Sequence, residues 1–293
     1  MTPESFTFLS ALVKKEAGIN LTEDKAYLLD NRLATIMRQR DLENLEDLCR
    51  FLKATPDKKL IDEIVDALTT NESLFFRDGR PFEAFRQTVL PHVMERRAKT
   101  KTFRIWCAAA SSGQEPYSLA MLLKELEARL AGWTYEIIGT DISTEMIEKA
   151  KAGQYSQFEV QRGLPVDMLV KYFTKVGNKW EIDPAIRAKV KFKKHNLLES
   201  PALLGKFDVV FCRNVLIYFD PDTKRLVFDH IARAMTDDAT LFLGGAETVL
   251  GFSKRFQAFN GIRGVYSVTQ EKDAPAPAQQ LHERNEKWLS IQA

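Results

Sequence analysis

The sequence predicts an α/β fold with a small antiparallel β-subdomain inserted in it, preceded by an all-helical N-terminal domain. Up to about residue 71, apolar side chains recur only at helical spacing. From about residue 100 onward, short apolar runs typical of buried strands alternate with helical stretches. The first of these strands leads through a turn of small residues into a helix, which is the arrangement that binds nucleotides in open α/β sheets.

The composition is that of an ordinary globular protein. The chain has 293 residues, which is ample for two domains, and 45% of them are apolar and 28% charged. A net charge of +2 argues against a surface built for nucleic acid, and no apolar run is long enough to span a membrane. With three dispersed cysteines, four scattered histidines and no secretion signal, we expect no metal site and a cytoplasmic location. Nothing in the sequence demands more than a monomer.

Four short helices are predicted in the N-terminal domain. The first closes near Gly18, and Thr22 is a suitable cap for the second, with Glu23 and Asp24 in its first turn. Their apolar faces are, in chain order, Phe6, Leu9, Leu12 and Val13; Ala26, Leu29, Leu33, Ile36 and Met37; Leu45, Leu48 and Leu52; and Leu60, Ile61, Ile64, Val65 and Leu68. This bundle has no catalytic constellation of its own.

The second helix is basic. It carries Lys25, Arg32, Arg38 and Arg40, and helical periodicity places Arg32 and Arg40 on one face while Arg38 points elsewhere. Two interpretations stay open at this point. The arginines form either a solvated basic face or a docking surface for an acidic partner.

A polar linker, Thr70–Arg77, connects the helices to the rest of the chain. It contains two adjacent phenylalanines, which need burial, so we expect the linker to pack against the second domain. Pro81 begins another helix, which is predicted to bend at Pro91.

The turn after the first predicted strand, 103–107, is made of small residues. It runs from Ala108 to Gly113, and Glu115 and a helix to about residue 130 follow. The turn lacks the Gly-Lys-Ser/Thr of a phosphate-binding loop and the glycines of a dinucleotide fingerprint. A carboxylate beside such a turn suits a ligand with a cationic portion and no phosphates, such as S-adenosylmethionine. A tight turn without any ligand is the alternative.

Further strands are predicted at 135–141, 190–196, 207–214, 240–245 and 264–269. Polar groups stand at several strand ends, on the edge where such sheets bind ligands, and Asp141 is placed to accept hydrogen bonds from a ribose diol. The residues at these ends are Ala109, Asp141, Asn196 and Asn214.

The domain limits follow from these patterns. We place the helical domain and linker at 1–76 and the α/β domain at 77–270. An insertion at about 154–188 contains a hairpin of 171–176 and 179–182 around a Gly-Asn turn. A Pro/Ala-rich tail, 271–293, completes the chain.

Four motifs, taken together, identify a family resemblance. They are Thr70-Asn-Glu-Ser-Leu-Phe-Phe-Arg77, Trp106-Cys-Ala-Ala-Ala-Ser-Ser-Gly-Gln-Glu-Pro-Tyr-Ser118, Gly139-Thr-Asp-Ile-Ser143 and Phe211-Cys-Arg-Asn-Val-Leu-Ile-Tyr-Phe219. In order and spacing they resemble the chemotaxis receptor glutamate O-methyltransferases, the CheR family. The similarity extends from the N-terminal helices to about residue 270.

The resemblance implies a Rossmann-like methyltransferase domain that uses S-adenosylmethionine as methyl donor and yields S-adenosylhomocysteine. It implies that the acceptors are glutamate side chains in the cytoplasmic domains of chemoreceptors, methylated during chemotaxis adaptation. Arg77 and Tyr218 are implied as the pair nearest the methyl group and the acceptor, and Arg32, Arg38 and Arg40 as the receptor-docking surface. The implied cofactor contacts are Asn71, Ser73, Arg77, Glu115, Asp141, Asn196, Leu197, Arg213 and Asn214.

The chain departs from the family pattern at two places. Gln114 stands where the family usually has Glu, a change that we expect to be tolerated. The hairpin turn 176–179 is shorter than in members that dock a C-terminal pentapeptide of the receptor, so we expect an enzyme that does not depend on that pentapeptide. Two alternatives stay open: a methyltransferase with another acceptor, which the low net charge disfavours for RNA, and a signalling adaptor that senses S-adenosylmethionine without catalysis.

Overall fold

The computed structural model of the protein describes residues 1–55 and 57–269, and the predicted tail of residues 271–293 lies outside them. Four α-helices form the N-terminal domain, as predicted. They are α1 (Pro3–Ala17), α2 (Tyr27–Gln39), α3 (Leu45–Ala54) and α4 (Lys58–Leu68). The predicted apolar faces meet in one core, where Leu9, Leu33, Leu48 and Ile64 are fully buried.

The start of the second helix differs from the prediction. Thr22 does not cap α2, because the chain first makes a 3₁₀ turn over Glu23–Lys25 and the helix begins only at Tyr27. The Thr22 side chain makes no capping hydrogen bond. Since 3₁₀ turns are frequent at helix N-termini, acidic residues after a threonine indicate such a turn as well as they indicate the helix itself.

Within the described residues, ten strands form two sheets. In chain order they are β1 (Thr102–Ala108), β2 (Thr134–Asp141), β3 (Gln154–Ser156), β4 (Phe173–Val176), β5 (Lys179–Ile182), β6 (Val190–Lys194), β7 (Phe207–Cys212), β8 (Met235–Leu243), β9 (Phe256–Ala258) and β10 (Val265–Val268). The main sheet has the order β6-β2-β1-β7-β8-β10-β9.

The topology of the main sheet is Rossmann-like. Strands β6, β2, β1, β7 and β8 are parallel, and β10 is antiparallel to both of its neighbours. The strand order reverses between β1 and β7, so the carboxyl ends of these two strands form the topological switch point, where such sheets bind ligands. All strands predicted for this sheet are confirmed, and the short edge strand β9 is an addition.

Eight further α-helices accompany the sheets in the part of the chain that the structure describes. They are α5 (Arg80–Ala84), α6 (Leu90–Arg96), α7 (Gln114–Glu125), α8 (Thr144–Ala152), α9 (Gln157–Gln161), α10 (Val166–Tyr172), α11 (Pro184–Arg187) and α12 (Pro221–Ala234). Between α5 and α6 lies a π-helical turn, Phe85–Val89, and Pro91 is the second residue of α6. The proline has no N–H for an internal helical hydrogen bond, and the wider turn stands where the bend was predicted.

The insertion forms the second sheet, with antiparallel strands in the order β3-β5-β4. The predicted hairpin is confirmed as β4 and β5 around Gly177 and Asn178. Its first strand begins at Phe173 rather than at Lys171, because α10 extends to Tyr172. The three-residue strand β3 was not predicted.

The linker packs against the α/β domain, as predicted from its phenylalanines. The Phe75 ring is fully buried and makes edge contacts with the rings of Tyr155 and Phe173, at centroid distances of 5.0 and 5.5 Å. The Phe76 amide donates a hydrogen bond of 2.9 Å to the hydroxyl of Ser118 on α7. The linker is therefore fixed to the α/β domain both by ring packing and by a hydrogen bond from its backbone.

Candidate functional site

A pocket opens at the carboxyl edge of the main sheet and is walled by both domains. Its lining includes every residue predicted to bind the cofactor and both residues predicted to be nearest the methyl group. The helical domain adds Ala17 and Ile19, which no sequence signal had indicated. The predicted site residues in the lining are Asn71, Ser73, Arg77, Glu115, Asp141, Asn196, Leu197, Arg213, Asn214 and Tyr218.

The small-residue turn after β1 forms the floor of this pocket. Ala109 and Ser111 have positive φ angles of 65° and 48°, which only a sharp turn requires. The Ser111 amide donates a hydrogen bond of 2.7 Å to Oδ2 of Asp141, and the Ser111 hydroxyl donates one of 2.8 Å to the Asn71 carbonyl. The turn is therefore fixed to the end of β2 and to the linker at the same time.

Asp141 is a buried carboxylate that organises the turn and still lines the pocket. Besides Ser111, the Ser143 amide donates to its Oδ1 at 3.0 Å. Only 6% of the residue is exposed. Burial raises the pKa of the Asp141 carboxyl above its usual value, and the backbone N–H donors oppose this rise. A carboxylate has about four lone-pair positions, so this one retains acceptor capacity for a diol.

Glu115 and Arg213 form a buried ion pair at the switch point. Arg213 Nη1 donates to Glu115 Oε2 at 2.9 Å, and only 2% and 12% of the two side chains are exposed. Arg213 Nη2 also donates to Oδ2 of Asp78 at 2.6 Å and to the carbonyl of Arg77 at 3.1 Å. Burial raises the pKa of the Glu115 carboxyl, Arg213 opposes this rise, and nearby Glu247 adds to it. Within the described part of the chain, the buried Nε of Arg213 has no hydrogen-bond partner.

The end of α1 is attached to two walls of the pocket. Asn196 Nδ2 donates to the Glu16 carbonyl at 2.6 Å, so this predicted cofactor contact also anchors the helix. The Asn20 amide donates to the Tyr218 carbonyl at 2.9 Å, and Ile19 forms an antiparallel bridge with Phe219. The helical domain thereby fixes the backbone of the segment that carries Tyr218.

The three arginines predicted to dock a receptor lie outside the pocket and have different surroundings. Arg32 Nη1 donates to the carbonyls of Leu68 and Thr69, both at 2.9 Å. Arg40 pairs with Glu63 on α4 at 2.6 Å, whereas Arg38 is exposed. Arg32 and Arg40 thus share the face of α2 that meets α4, and Arg38 points elsewhere. Their docking role stays a prediction.

Two further groups near the site escaped the sequence analysis. His195 lines the pocket, its pKa is lowered by burial, and among the described residues its buried Nε2 has no hydrogen-bond partner. Glu247 lies behind the pocket and contacts the loop after β7. His195 directly follows β6, so its position could have indicated that it lines the site. Glu247 lies several residues beyond β8 and has no neighbouring acid or motif, so nothing in the sequence indicated its role.

Residues 1–55 and 57–269 contain neither a candidate metal site nor a candidate membrane-spanning helix. No group of three or more His, Cys, Asp or Glu side chains has an arrangement that would hold a metal ion there. In the same residues, none of the helices has the length and apolar character needed to cross a membrane.

Both domains match models of the same protein family. The family model described as CheR methyltransferase, SAM binding domain, matches residues 71–265, and the CheR methyltransferase all-alpha domain matches residues 4–69. Over 264 residues, 89% of this chain and 96% of each relative, the identity is 40% to Chemotaxis protein methyltransferase Cher2 of Pseudomonas putida and 41% to Chemotaxis protein methyltransferase 1 of Pseudomonas aeruginosa. A Chemotaxis protein methyltransferase of Vibrio anguillarum is 38% identical over 260 residues, 88% of this chain and 94% of its own.

Proposed function

The chain belongs to the CheR methyltransferase family, and from that premise we propose that it methylates glutamate side chains in the cytoplasmic domains of chemoreceptors. It is an S-adenosylmethionine-dependent methyltransferase of chemotaxis. The observation that carries the proposal is the single pocket at the switch point, which gathers all ten residues that the family resemblance implies for cofactor and acceptor. We propose that it acts in the cytoplasm, where the receptor domains that it would methylate lie.

The residues of the pocket fit S-adenosylmethionine, which when bound supplies an electrophilic methyl group. Asp141 has acceptor capacity for the ribose hydroxyls, and the unpartnered Nε of Arg213, among the described residues, is a donor for a carboxylate. The small side chains of Ala109 and Ser111 allow a ligand to approach the backbone closely. We assign Asn71, Ser73, Asn196, Leu197 and Asn214 to the same cofactor by the resemblance.

Methylation of a glutamate requires no proton transfer by the protein. A carboxyl with an ordinary pKa of about 4.3 is already ionised at neutral pH, so no general base is required. The task of the site is to align the carboxylate oxygen with the methyl carbon. We assign this alignment to Arg77, whose planar guanidinium suits a carboxylate, and to Tyr218.

Replacing Tyr218 with Phe is expected to lower kcat about tenfold to a hundredfold, because the substitution removes one hydrogen bond to a charged group. Affinity for S-adenosylhomocysteine, measured by titration calorimetry, is expected to stay within about twofold of wild type. Tyr27→Phe, at an exposed tyrosine on α2, is the matched control and should change neither quantity. If cofactor affinity fell as much as turnover, Tyr218 would be a binding residue instead.

Arg32→Ala and Arg38→Ala are expected to raise the KM for different substrates. Arg32 donates to the end of α4 and to the hydroxyl of Thr70, the first residue of the linker that carries Asn71 and Ser73, so its loss should raise the KM for S-adenosylmethionine severalfold. Arg38 is exposed and faces away from α4, so its loss should raise only the KM for the receptor domain. Steady-state kinetics with each substrate varied in turn checks both. Equal effects of the two variants on the receptor KM would support the predicted docking role of Arg32 together with that of Arg38.

The proposed function is tested by transfer of labelled methyl from S-adenosylmethionine to a purified receptor cytoplasmic domain. Alkali-labile label on glutamate is the expected result, since methyl esters are hydrolysed by base and N-methyl groups are not. Because Gly177 and Asn178 alone separate β4 from β5, we infer that deleting the last residues of the receptor leaves the rate unchanged. If the rate fell when those residues were deleted, the enzyme would require the receptor's C-terminus, contrary to this inference. A label that is stable to base would refute carboxyl methylation. Cofactor binding without transfer would support the sensor instead.

A further inference from the structure

Glu247 is a buried carboxylate that the chemistry above does not use. It follows β8 at the end of Gly244-Gly245-Ala246, and only 9% of it is exposed. Its own amide donates to the Gly244 carbonyl at 2.9 Å, so the segment closes into a tight turn. Its side chain points toward the loop that follows β7.

The Glu247 carboxylate accepts four backbone hydrogen bonds. Oε2 accepts from the amides of Asn214 and Gly244 at 2.9 and 2.7 Å, and Oε1 accepts from those of Val215 and Leu216 at 3.0 and 2.8 Å. Three consecutive N–H groups of the loop thus converge on one anion. Such a concave arrangement of amides is a favourable anion site, and here the protein supplies the anion itself.

These hydrogen bonds stabilise an uncommon backbone conformation. Asn214 has a φ of 60°, which non-glycine residues seldom adopt, and the chain then enters a 3₁₀ turn, Leu216–Tyr218. Without the anion, the three amides would be left without an acceptor in a partly buried loop, at a substantial cost. The same loop places Asn214 and Tyr218 in the pocket wall.

The site is built for a carboxylate of this length. A Cβ added at Gly244 would lie 2.7 Å from Glu247 Oε2 and 3.0 Å from the Asn214 amide nitrogen, so no other residue fits there without displacing the carboxylate. Glutamine would turn an NH₂ group toward two of the four donors, and aspartate would be one methylene too short.

We propose that Glu247 is a positioning residue for methyl transfer, which holds the loop 214–218 so that Asn214 meets the cofactor and Tyr218 meets the acceptor. The proposal rests on the site roles given under the proposed function. Glu247 touches neither the cofactor nor the reacting atoms, because it lies outside the pocket lining and acts through the backbone of the loop.

The test compares E247Q with D208N in the full chain. Asp208 is also a buried carboxylate and accepts from the Arg104 amide at 2.7 Å, but it stands at the opposite end of β7. Both variants are expected to lose thermal stability. At a temperature where circular dichroism shows both to be folded, E247Q should lower kcat about a hundredfold, the scale of a misplaced catalytic group, while D208N retains the wild-type kcat. E247D, which keeps the anion, should recover part of the loss.

A double-mutant cycle separates positioning from general destabilisation. Because Tyr218 is already misplaced in E247Q, Y218F should lower kcat much less in that background than in wild type or in D208N. Full additivity of Y218F with E247Q would overturn the proposal, as would equal kcat values for E247Q and D208N. If E247Q does not fold, the same cycle is run with E247D.

Binding of S-adenosylhomocysteine distinguishes failure of this inference from failure of the proposed function. Through Asn214, E247Q is expected to weaken product binding about tenfold, and D208N to leave it unchanged. This comparison needs no acceptor, so it holds even if wild-type enzyme transfers no methyl to receptors. Unchanged product affinity in E247Q would contradict the proposed link between Glu247 and Asn214.

Discussion

Arg213→Met is expected to lower the free energy of unfolding by about 3–5 kcal/mol and to abolish binding of S-adenosylmethionine. The guanidinium is buried and donates to Glu115, to Asp78 and to the Arg77 carbonyl. Methionine fills similar volume but leaves Glu115 as a buried carboxylate without its cation. It also releases the end of the linker, which carries Arg77, from the switch point.

Denaturant unfolding and titration calorimetry check this prediction. Arg225→Met on α12 is the matched control, because Arg225 is exposed and, among the described residues, pairs only with Asp222 on the same helix. The control should change the free energy of unfolding by less than about 0.5 kcal/mol. Similar losses in the two variants would mean that the buried pair adds nothing that an exposed pair lacks.

The Arg213→Met variant should also respond to pH in a direction that identifies Glu115. Without the cation, the folded-state pKa of Glu115 rises further above its value in the unfolded chain. The folded state then binds the proton more tightly than the unfolded state, so stability increases as pH falls through the raised pKa. Part of the loss should therefore be recovered at about pH 5 relative to about pH 8. A loss that is equal at both values would exclude this cause.

Asp141→Ala is expected to weaken binding of S-adenosylhomocysteine by about a hundredfold or more, because two hydrogen bonds to a charged acceptor are lost. The substitution also frees the amides of Ser111 and Ser143, which loosens the turn beneath the ligand. Titration calorimetry measures the change. Asp237→Ala, at an exposed aspartate in β8, is the control and should bind the product as wild type does.

The pH dependence of product binding gives a second measure of Asp141. Burial raises its pKa, so the carboxylate is protonated at a higher pH than an ordinary aspartate with a pKa of about 3.9. Because the proposed hydrogen bonds from the ribose hydroxyls need the ionised acceptor, affinity should decrease as pH falls through this raised pKa. The decrease should be absent in Asp141→Ala. If the variant shows the same acid limb as wild type, another group causes it.

The meeting of the predicted cofactor residues in one pocket was predictable because parallel strands bring their carboxyl ends to one edge. Asp141, Asn196 and Asn214 each follow an apolar run, and the topology places them together. Strands of three residues, such as β3 and β9, were missed because so short a run carries no periodic signal. The prediction that Thr22 caps α2 was wrong because the local sequence pattern of a cap does not distinguish a 3₁₀ turn from an α-helix.

Contacts between distant parts of the chain were beyond the sequence analysis. Glu115 and Arg213 are 98 positions apart, and both were assigned to the cofactor rather than to each other. The partners of Arg32 depend on how α4 ends beside α2. Glu247 acts on backbone amides, which are the same in every residue, so side-chain types gave no indication of it.

The attachment of α1 to the segment around Tyr218 means that the helical domain is not a detachable recognition module. Gly18 ends α1 with a φ of 73°, and an added Cβ there would lie 2.9 Å from the Thr223 side chain. Ile19 then lines the pocket, and the Asn20 amide donates a hydrogen bond to the Tyr218 carbonyl. A chimera that exchanges the first 69 residues for those of a relative therefore replaces part of the pocket wall as well. We therefore expect such an exchange to change the affinity for S-adenosylmethionine as well as any contact that this domain makes with a receptor.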